Sequence, residues 1–390
     1  MKYVFCTLGC RANQAQTLAL RSTLPAPPTK IADFGEEADV YVINTCTVTA
    51  DSEKKSRNAI RRALKLAKRV IVTGCYARLK ATELKEMFPA VEIDWSDAPA
   101  LSPFSPSLSL RVRENLMIED GCENYCSYCI VPFARGPVRR KPEEQIIKEA
   151  EGLAAAGVKE IILTGINLGA WGELSPLLRK LSGIKDLLRV RLSSIEPQYV
   201  TDELIAAVAS SPKLCRHFHI PLQSGDDGIL QRMNRHYTAD HYVSMIDRIR
   251  KRIPDCGITT DIIVGFPGES EKEFRSTVDL AAQIKFSRLH LFTYSKRDLT
   301  AAAKMPGQVD AKDKKARYAK LNAIRAEQMR EFAERFTGKE VEVLAEAKGE
   351  GLTSNYIRVN FDDPDDSTGK IIKLRLGIDR RSGCCNPEPY

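Results

Sequence analysis

Long apolar runs are missing from this chain: none reaches the length of a membrane span, so no membrane partner is expected. No secretory leader is expected either. Residues 1–6 (MKYVFC) read as a strand, with no long apolar core and cleavage site behind them, and the expected location is cytoplasmic. Histidine is scarce. Of His217, His219, His236, His241 and His290, three fall in strand-like segments as packing residues, and none has the partner pattern of a nucleophilic triad. Aromatic residues make up 7% of the chain and show no base-stacking signature. No internal repeat is evident. Acidic residues are absent from the stretch 54–69.

What is present is ordinary in bulk and unusual in detail. The 390 residues suffice for two or three domains with cores of their own, and 43% hydrophobic with 28% charged residues is a soluble globular composition. The net charge of +8 is clustered. Residues 54–69 (KKSRNAIRRALKLAKR) carry eight cations, and Lys54, Arg57, Arg61, Lys65 and Lys68 recur at helical spacing. Such a face is either simply solvated or a phosphate-binding stripe for nucleic acid. In a reducing compartment, the eleven cysteines read as metal ligands or free thiols, not as a disulfide framework.

The fold expected is α/β in three parts. Residues 1–97 hold three apolar strands, YVFCTLGC, VYVINTC and VIVTGC, with a helix over 51–68 and another over 80–88, which implies a parallel sheet. Each strand ends in a cysteine: Cys10, Cys46, Cys75. Ligands gather at the carboxyl ends of parallel strands, so these thiols are expected to meet. Residues 98–110 (APALSPFSPSLSL) read as a linker.

From 111 to 336, six strand candidates (113–118, 159–164, 188–194, 216–222, 257–264, 287–293) alternate with helices. The clearest helix starts at Pro142 with Glu143 and Glu144 in its first turn and stops at Gly157. Others cover about 201–210, 238–253 and 270–284, and a charged helix covers about 310–336. Six β/α units make a partial parallel barrel, whose chemistry belongs at the strand ends. A three-cysteine loop follows the first strand, Gly165 and Asn167 the second, Glu196 the third, Gln223 the fourth and Gly265 the fifth. Asp261 lies within the fifth, in an active-site or a structural role. Residues 337–390 contain VEVLAEA, YIRVNF and KIIKLRL, short strands of a small β module.

The loop "GCENYCSYCIVPFARGPVRR" spaces Cys122, Cys126 and Cys129 as C-x3-C-x2-C. A structural zinc wants four ligands, and three thiols without a nearby histidine suit an iron–sulfur cluster with one open iron. A zinc site completed by Cys215 or Cys256 is the other reading; otherwise these two are core or free thiols. Tyr128 offers a ring to a bound nucleoside. Cys6 reads as a small buried residue.

C-x3-C-x-Y-C at the first strand end of a β/α barrel resembles the radical S-adenosylmethionine superfamily. "TLGCRANQ", "VINTCTVTADSEKKSRNAIRRA", "VTGCYA", "SSIEP", "HIPLQSGDDGILQRMNR", "TTDIIVGFPGE" and "YSKRDLTAAAKMPGQV" are similar to its methylthiotransferases up to about residue 340. "INTCTVT", "KKSR" and "ARGPVR" resemble most the branch that modifies N6-threonylcarbamoyladenosine next to the tRNA anticodon.

The resemblance implies two [4Fe-4S] clusters: a radical-generating one on Cys122, Cys126 and Cys129, and an auxiliary one on Cys10, Cys46 and Cys75 that carries the transferred sulfur. It implies S-adenosylmethionine among Tyr128, Gly165, Asn167, Ser194, Glu196, Gln223, Asp261 and Gly265. It further implies two uses of S-adenosylmethionine, one as methyl donor and one as source of the radical that removes hydrogen from C2 of the adenine, with both thiol sites facing one cavity. The partners implied are the tRNA anticodon stem-loop and an electron donor such as flavodoxin or ferredoxin.

Family members end in a TRAM domain, a small β-barrel that grips RNA. Here residues 339–390 carry eight Lys/Arg and ten Asp/Glu, a net charge of −2 that does not suit a phosphate clamp. RNA contact is therefore expected from Arg57, Arg61, Arg62 and Lys65 and from Arg135, Arg139 and Arg140. "STLPAPPTK" stands where the family has a longer helix and turn. Within the family, isopentenyladenosine in tRNA or a ribosomal-protein aspartate are alternative substrates. Outside it, a non-enzymatic metal-bearing RNA-binding protein is the alternative.

Overall fold

The computed structural model describes residues 1–23, 30–94, 101–102 and 111–377. Most of the expected linker, the core of "STLPAPPTK" and the Cys384–Cys385 pair lie outside the described residues.

The amino-terminal part runs β1 (Lys2–Thr7), α1 (Arg11–Thr23), β2 (Lys30–Ala32), β3 (Ala38–Thr45), α2 (Ala50–Ala63), β4 (Ala67–Thr73), α3 (Gly74–Leu79), α4 (Ala81–Met87) and β5 (Glu92–Ile93). The strands form one parallel sheet in the order β2-β1-β3-β4-β5. Central β3 is buried continuously from Val40 onward, the pattern of a parallel strand covered on both faces. Helix α2 starts at a capping box, in which Thr49 accepts from the Ser52 amide and the Ser52 hydroxyl accepts from the Thr49 amide.

That helix ends at Ala63, short of the expected Lys68, because residues from Ala67 on pair with β3 as β4. The expected five-cation helix face is therefore broken. Lys65 lies in a turn and Lys68 in a strand, paired with Asp39 at 3.2 Å.

The barrel runs β6 (Arg113–Met117), β7 (Glu119–Asp120), α5 (Val131–Arg135), β8 (Arg139–Arg140), α6 (Glu143–Ala155), β9 (Glu160–Thr164), α7 (Leu174–Ser182), β10 (Arg189–Leu192), α8 (Asp202–Ser210), β11 (His217–His219), α9 (Asp227–Arg232), α10 (Ala239–Arg252), β12 (Gly257–Val264), α11 (Glu271–Ile284) and β13 (Arg288–Thr293). Two parallel sheets, β10-β9-β6 and β11-β12-β13, are joined by the bridges Val190↔Leu214 and Ser194↔His219. The result is an open six-strand barrel, with α1 packed on its free edge at β6. Its apolar core lies between strands and helices, around Leu116, Ile161, Leu163, Leu192, Phe218, Ile262 and Leu289. Helix caps sharpen the ends: Thr201, Thr238 and Asp226 each accept from a backbone amide three residues on, and Ser270 with Glu273 forms a capping box.

Helix α12 (Ala311–Glu334) leads to β14 (Glu340–Ala347), β15 (Glu350–Thr353), β16 (Arg358–Asn360) and β17 (Ile371–Arg375). These pair antiparallel in the order β16-β15-β14-β17; β15 was not expected from the sequence. The turn after β15 closes the barrel floor. Arg189 donates to the carbonyls of Leu352 at 2.6 Å and Glu342 at 3.0 Å, and Arg191 to that of Ser354 at 3.0 Å. Tyr356 stacks on His217 with centroids 4.5 Å apart.

Candidate active site

Cys10 follows β1, Cys46 follows β3, and Cys75 is the second residue of α3. The parallel order places all three loops at one sheet edge, as expected. Gly9 (φ 94°) passes so close to Cys46 that a Cβ there would lie 2.8 Å from its Sγ. Asn13 on α1 joins the loops: its amide donates to the carbonyls of Leu8 at 2.8 Å and Thr45 at 3.1 Å, and its Oδ1 lies 3.9 Å from Cys75 Sγ. Burial pushes the Cys75 thiol up to about 11, with Cys10 and Cys46 adding and Arg135 opposing. A metal that enters must displace such protons.

The loop triad is clamped from the other side of the barrel. The Ser127 amide donates to Met233 O at 3.0 Å, the Ser127 hydroxyl to Arg232 O at 2.7 Å, and the Asn234 amide to the carbonyls of Asn124 and Tyr125 at 3.0 and 3.1 Å. Arg235 lies 3.3 Å from Cys126 Sγ and grips Glu196 with both guanidinium nitrogens, one at 3.1 Å. Tyr237 accepts from Arg235 Nε at 3.1 Å. Arg235, Asn234 and Tyr237 were missed in the sequence. The first two stood inside a family-like stretch, but nothing local tied them to the cysteines. Burial raises Cys122 to about 11 and Cys129 to about 12.

One side chain ties the amino-terminal triad to the strand that leads into the loop triad. Arg135, at the end of the short helix after Cys129, donates to Asp120 Oδ1 at 2.7 Å and to Asn13 Oδ1 at 2.5 Å. Its guanidinium is buried and acts on Cys75 and Cys10. This corrects the expectation that Arg135 holds RNA phosphates: its charge faces inward.

Among the described residues, the one group of three His, Cys, Asp or Glu donors that all lie within 4.8 Å of one another is His219, Asp261 and His290. The sulfurs of each thiol triad are more widely set. One zinc ion would hold sulfurs about 3.8 Å apart, given Zn–S bonds of about 2.3 Å. The triads therefore fit a larger, multi-iron body better than a single ion.

Two of the expected strand-end residues carry polar atoms with no partner of their own among the described residues. Gln223 Oε1, Asn167 Oδ1 and Ser193 Oγ are buried without a partner among the described residues. Such acceptors suit a ligand rich in donors, as the ammonium and hydroxyls of S-adenosylmethionine are. Glu119 accepts from the Asn167 amide at 2.7 Å, and a Cβ on Gly165 would lie 2.7 Å from the same carboxylate. Burial, helped by Asp120, pushes the Glu119 carboxyl up to about 8. Ser194 bridges to His219. Tyr128 packs against the cluster of Ile229, Met233, Phe266 and Tyr294. The Gly265 amide donates to Glu269 at 2.7 Å, and Glu269 pairs with Arg317 at 2.6 Å, so this amide is already committed.

The strand histidines are packed and hydrogen-bonded, as expected, and their partners lie in the barrel interior. Asp261 Oδ1 lies 3.2 Å from His219 Nε2 and 3.3 Å from His290 Nδ1. The Thr259 hydroxyl joins His217 at 3.0 Å and His219 at 2.8 Å. Cys215 and Cys256 are buried, as expected, while Cys6 is partly buried.

Of the expected RNA contacts, Arg61, Arg62, Lys65 and Arg140 are exposed. Arg61 lies over Phe88 at 5.6 Å and Arg62 over Phe34 at 4.9 Å. Arg57 is half-buried and donates to the Tyr76 hydroxyl at 3.0 Å, and Arg139 pairs with Asp120 at 2.8 Å. Among the described residues, no helix is long and apolar enough to cross a membrane.

Residues 117–281 match the Radical SAM superfamily, and residues 2–94 match the family described as Uncharacterized protein family UPF0004. The chain is 36% identical over 421 residues to the threonylcarbamoyladenosine tRNA methylthiotransferase MtaB of Bacillus subtilis (strain 168), which covers 95% of this chain and 93% of that protein. It is 33% identical over 438 residues to the tRNA-2-methylthio-N(6)-dimethylallyladenosine synthase of Alkaliphilus oremlandii (strain OhILAs), at 99% and 92% coverage. The radical S-adenosylmethionine methyltransferase TsrM of Kitasatospora setae superimposes with a TM-score of 0.57 at 14% identity, over 77% of each chain.

Proposed function

Since the chain belongs to the radical S-adenosylmethionine methylthiotransferases, with S-adenosylmethionine and [4Fe-4S] clusters as cofactors, we propose that it converts N6-threonylcarbamoyladenosine in tRNA to its 2-methylthio derivative. The reading is supported by Arg135, which follows the 122–129 cysteine loop in sequence and whose buried guanidinium donates to Asn13 and acts on Cys75 and Cys10 of the other thiol group. Cys122, Cys126 and Cys129 hold one cluster, and Cys10, Cys46 and Cys75 the other. When bound, these groups supply the radical and the methylthio sulfur.

The chain's own part is to bind, orient and exclude water. Arg235 fixes Glu196 beside Cys126, Arg135 holds Asn13 against the auxiliary loops, and the partnerless acceptors of Gln223 and Asn167 take donors of S-adenosylmethionine. Arg61, Arg62, Lys65 and Arg140 meet tRNA phosphates near the anticodon. A flavodoxin or ferredoxin supplies electrons, and the setting is the cytoplasm.

Relatives named for threonylcarbamoyladenosine reach 36% identity and those named for dimethylallyladenosine 34%. The polar barrel interior favours the former substrate.

The test is nucleoside mass spectrometry of tRNA from cells lacking the protein. Loss of the methylthio form of threonylcarbamoyladenosine is expected; loss of methylthio-dimethylallyladenosine instead would overturn the substrate. After anaerobic reconstitution, about eight irons per chain and 5′-deoxyadenosine release are expected. Stoichiometric zinc would point to a non-enzymatic RNA binder.

A further inference from the structure

The barrel interior holds more guanidinium than carboxylate. Arg113 and Arg191 share Glu160, at 2.9 and 2.7 Å, and Arg113 also pairs with Glu346. Asp261 is engaged by His219 and His290. Among the described residues, Arg11 and Arg288 have no carboxylate partner. Arg11, the residue after Cys10, meets only the neutral Tyr356 hydroxyl at 2.9 Å and Asn115 at 3.5 Å. Arg288 is half-buried, and its side chain makes no hydrogen bond or ion pair among the described residues. It opens β13 beside Thr259, whose hydroxyl bonds the two inner histidines, and two residues below His290, which pairs in register with Asp261. Its charge acts on both His290 and Tyr356. Together Arg11, Arg113, Arg191 and Arg288 hold the Tyr356 phenol below its usual range despite burial. A half-buried guanidinium without a partner is costly, and an anion relieves the cost.

Phe292, next on the same strand face above His290, is 43% exposed. It offers a flat ring to an adenine at the level of the strand ends. Two residues of strand descend about 6.7 Å. A carbamoyl-linked threonine reaches about 6 Å from N6, nearly two backbone units. Its carboxylate thus arrives at the layer of His290, and the Arg288 guanidinium meets it by extending upward over the one remaining strand step of about 6.7 Å.

We propose that Arg288, with Arg11 and the His219–Asp261–His290 group around it, forms the pocket for the carboxylate of the N6-linked threonine and selects carboxylate-bearing over isoprenoid-bearing adenosines. The inference rests on the substrate reading above. A dimethylallyl group entering the same space leaves Arg288 unpaired and desolvates it, and sites built for a polar group reject analogues that lack it strongly.

The test uses the reconstituted full chain and anticodon stem-loops that carry threonylcarbamoyladenosine, its carboxylate methyl ester, or dimethylallyladenosine, with the methylthio product read by mass spectrometry. Wild type is expected to lose about 100-fold in kcat/KM from acid to ester, the scale of one charge-assisted pair. Arg288→Met should lose about as much on the acid and show no further loss on the ester, and Arg288→Lys should restore part of the difference. Iron content equal to wild type serves as the folding control. If Arg288→Met, at full iron content, still discriminates acid from ester as wild type does, the pocket is refuted while the substrate reading stands. If wild type itself treats acid and ester alike, the pocket is refuted without any variant. If wild type modifies only the dimethylallyl stem-loop, both readings fall together.

Discussion

The two thiol triads are built by opposite means. Cys122, Cys126 and Cys129 share one loop, and their spacing alone announces a metal. Cys10, Cys46 and Cys75 are scattered over sixty-six positions, and only the parallel order β1-β3-β4 brings them to one edge. A loop can carry a site wherever the barrel puts it; a sheet edge carries one only if the whole sheet folds. The first triad thus depends on clamps, such as Ser127 on Met233 and Asn234 on Asn124, and the second on topology.

The sharpest way to break this comparison is to remove one thiol from each side. Cys129→Ala should cost about four irons per chain and abolish 5′-deoxyadenosine release, whereas Cys46→Ala should cost about four irons yet keep that release and lose only the methylthio product. Iron assay and product analysis decide, and identical phenotypes would mean that the triads do not act separately. Next in size is Arg135, the link between the two. Arg135→Gln leaves buried Asp120 only its bond to Arg139 and takes the charged donor from Asn13 Oδ1, and should lower stability by about 2 kcal/mol in denaturant titration, with the auxiliary iron site loosened.

A smaller effect belongs to Glu119, under the loop triad. Its carboxyl is raised from the ordinary value to about 8, so its protonated form is the one the fold prefers. Wild type should therefore lose stability relative to Glu119→Gln as pH rises from about 4.5 to 8, measured as urea midpoints at both ends. A constant difference across that range would contradict the assignment. Smallest is the exposed rim of the amino-terminal part. Replacing Arg61 and Lys65 by Ala should weaken stem-loop binding and lower the salt slope by about one unit each at most.

Much of this was legible before the structure. The three strands ending in cysteine, the six barrel strands and the helix opening at Pro142 follow from apolar runs, caps and glycine stops, which are local signals. What escaped was set by distance. Helix α2 stops early because β4 needs Ala67 as a partner for Ala38, and no local preference announces that pairing. Arg135 stands in an arginine-rich stretch that looks like a phosphate clamp, yet Asp120 and Asn13 turn it inward. Arg235 reaches the cysteine loop from 109 positions away, and Tyr356 enters the barrel floor from the module that looked least involved. In each case the side chain's partner lies in another element, and composition gives it no address.

The central claim is that both clusters share one chamber. Electron paramagnetic resonance of the reduced, fully reconstituted protein tests it most directly. Two paramagnetic clusters across Arg135 should broaden and relax each other, so the loop-bound signal should sharpen and relax more slowly in Cys46→Ala. A loop-bound signal identical in wild type and Cys46→Ala, with the iron lost as expected, would place the two centres too far apart for sulfur to pass between them.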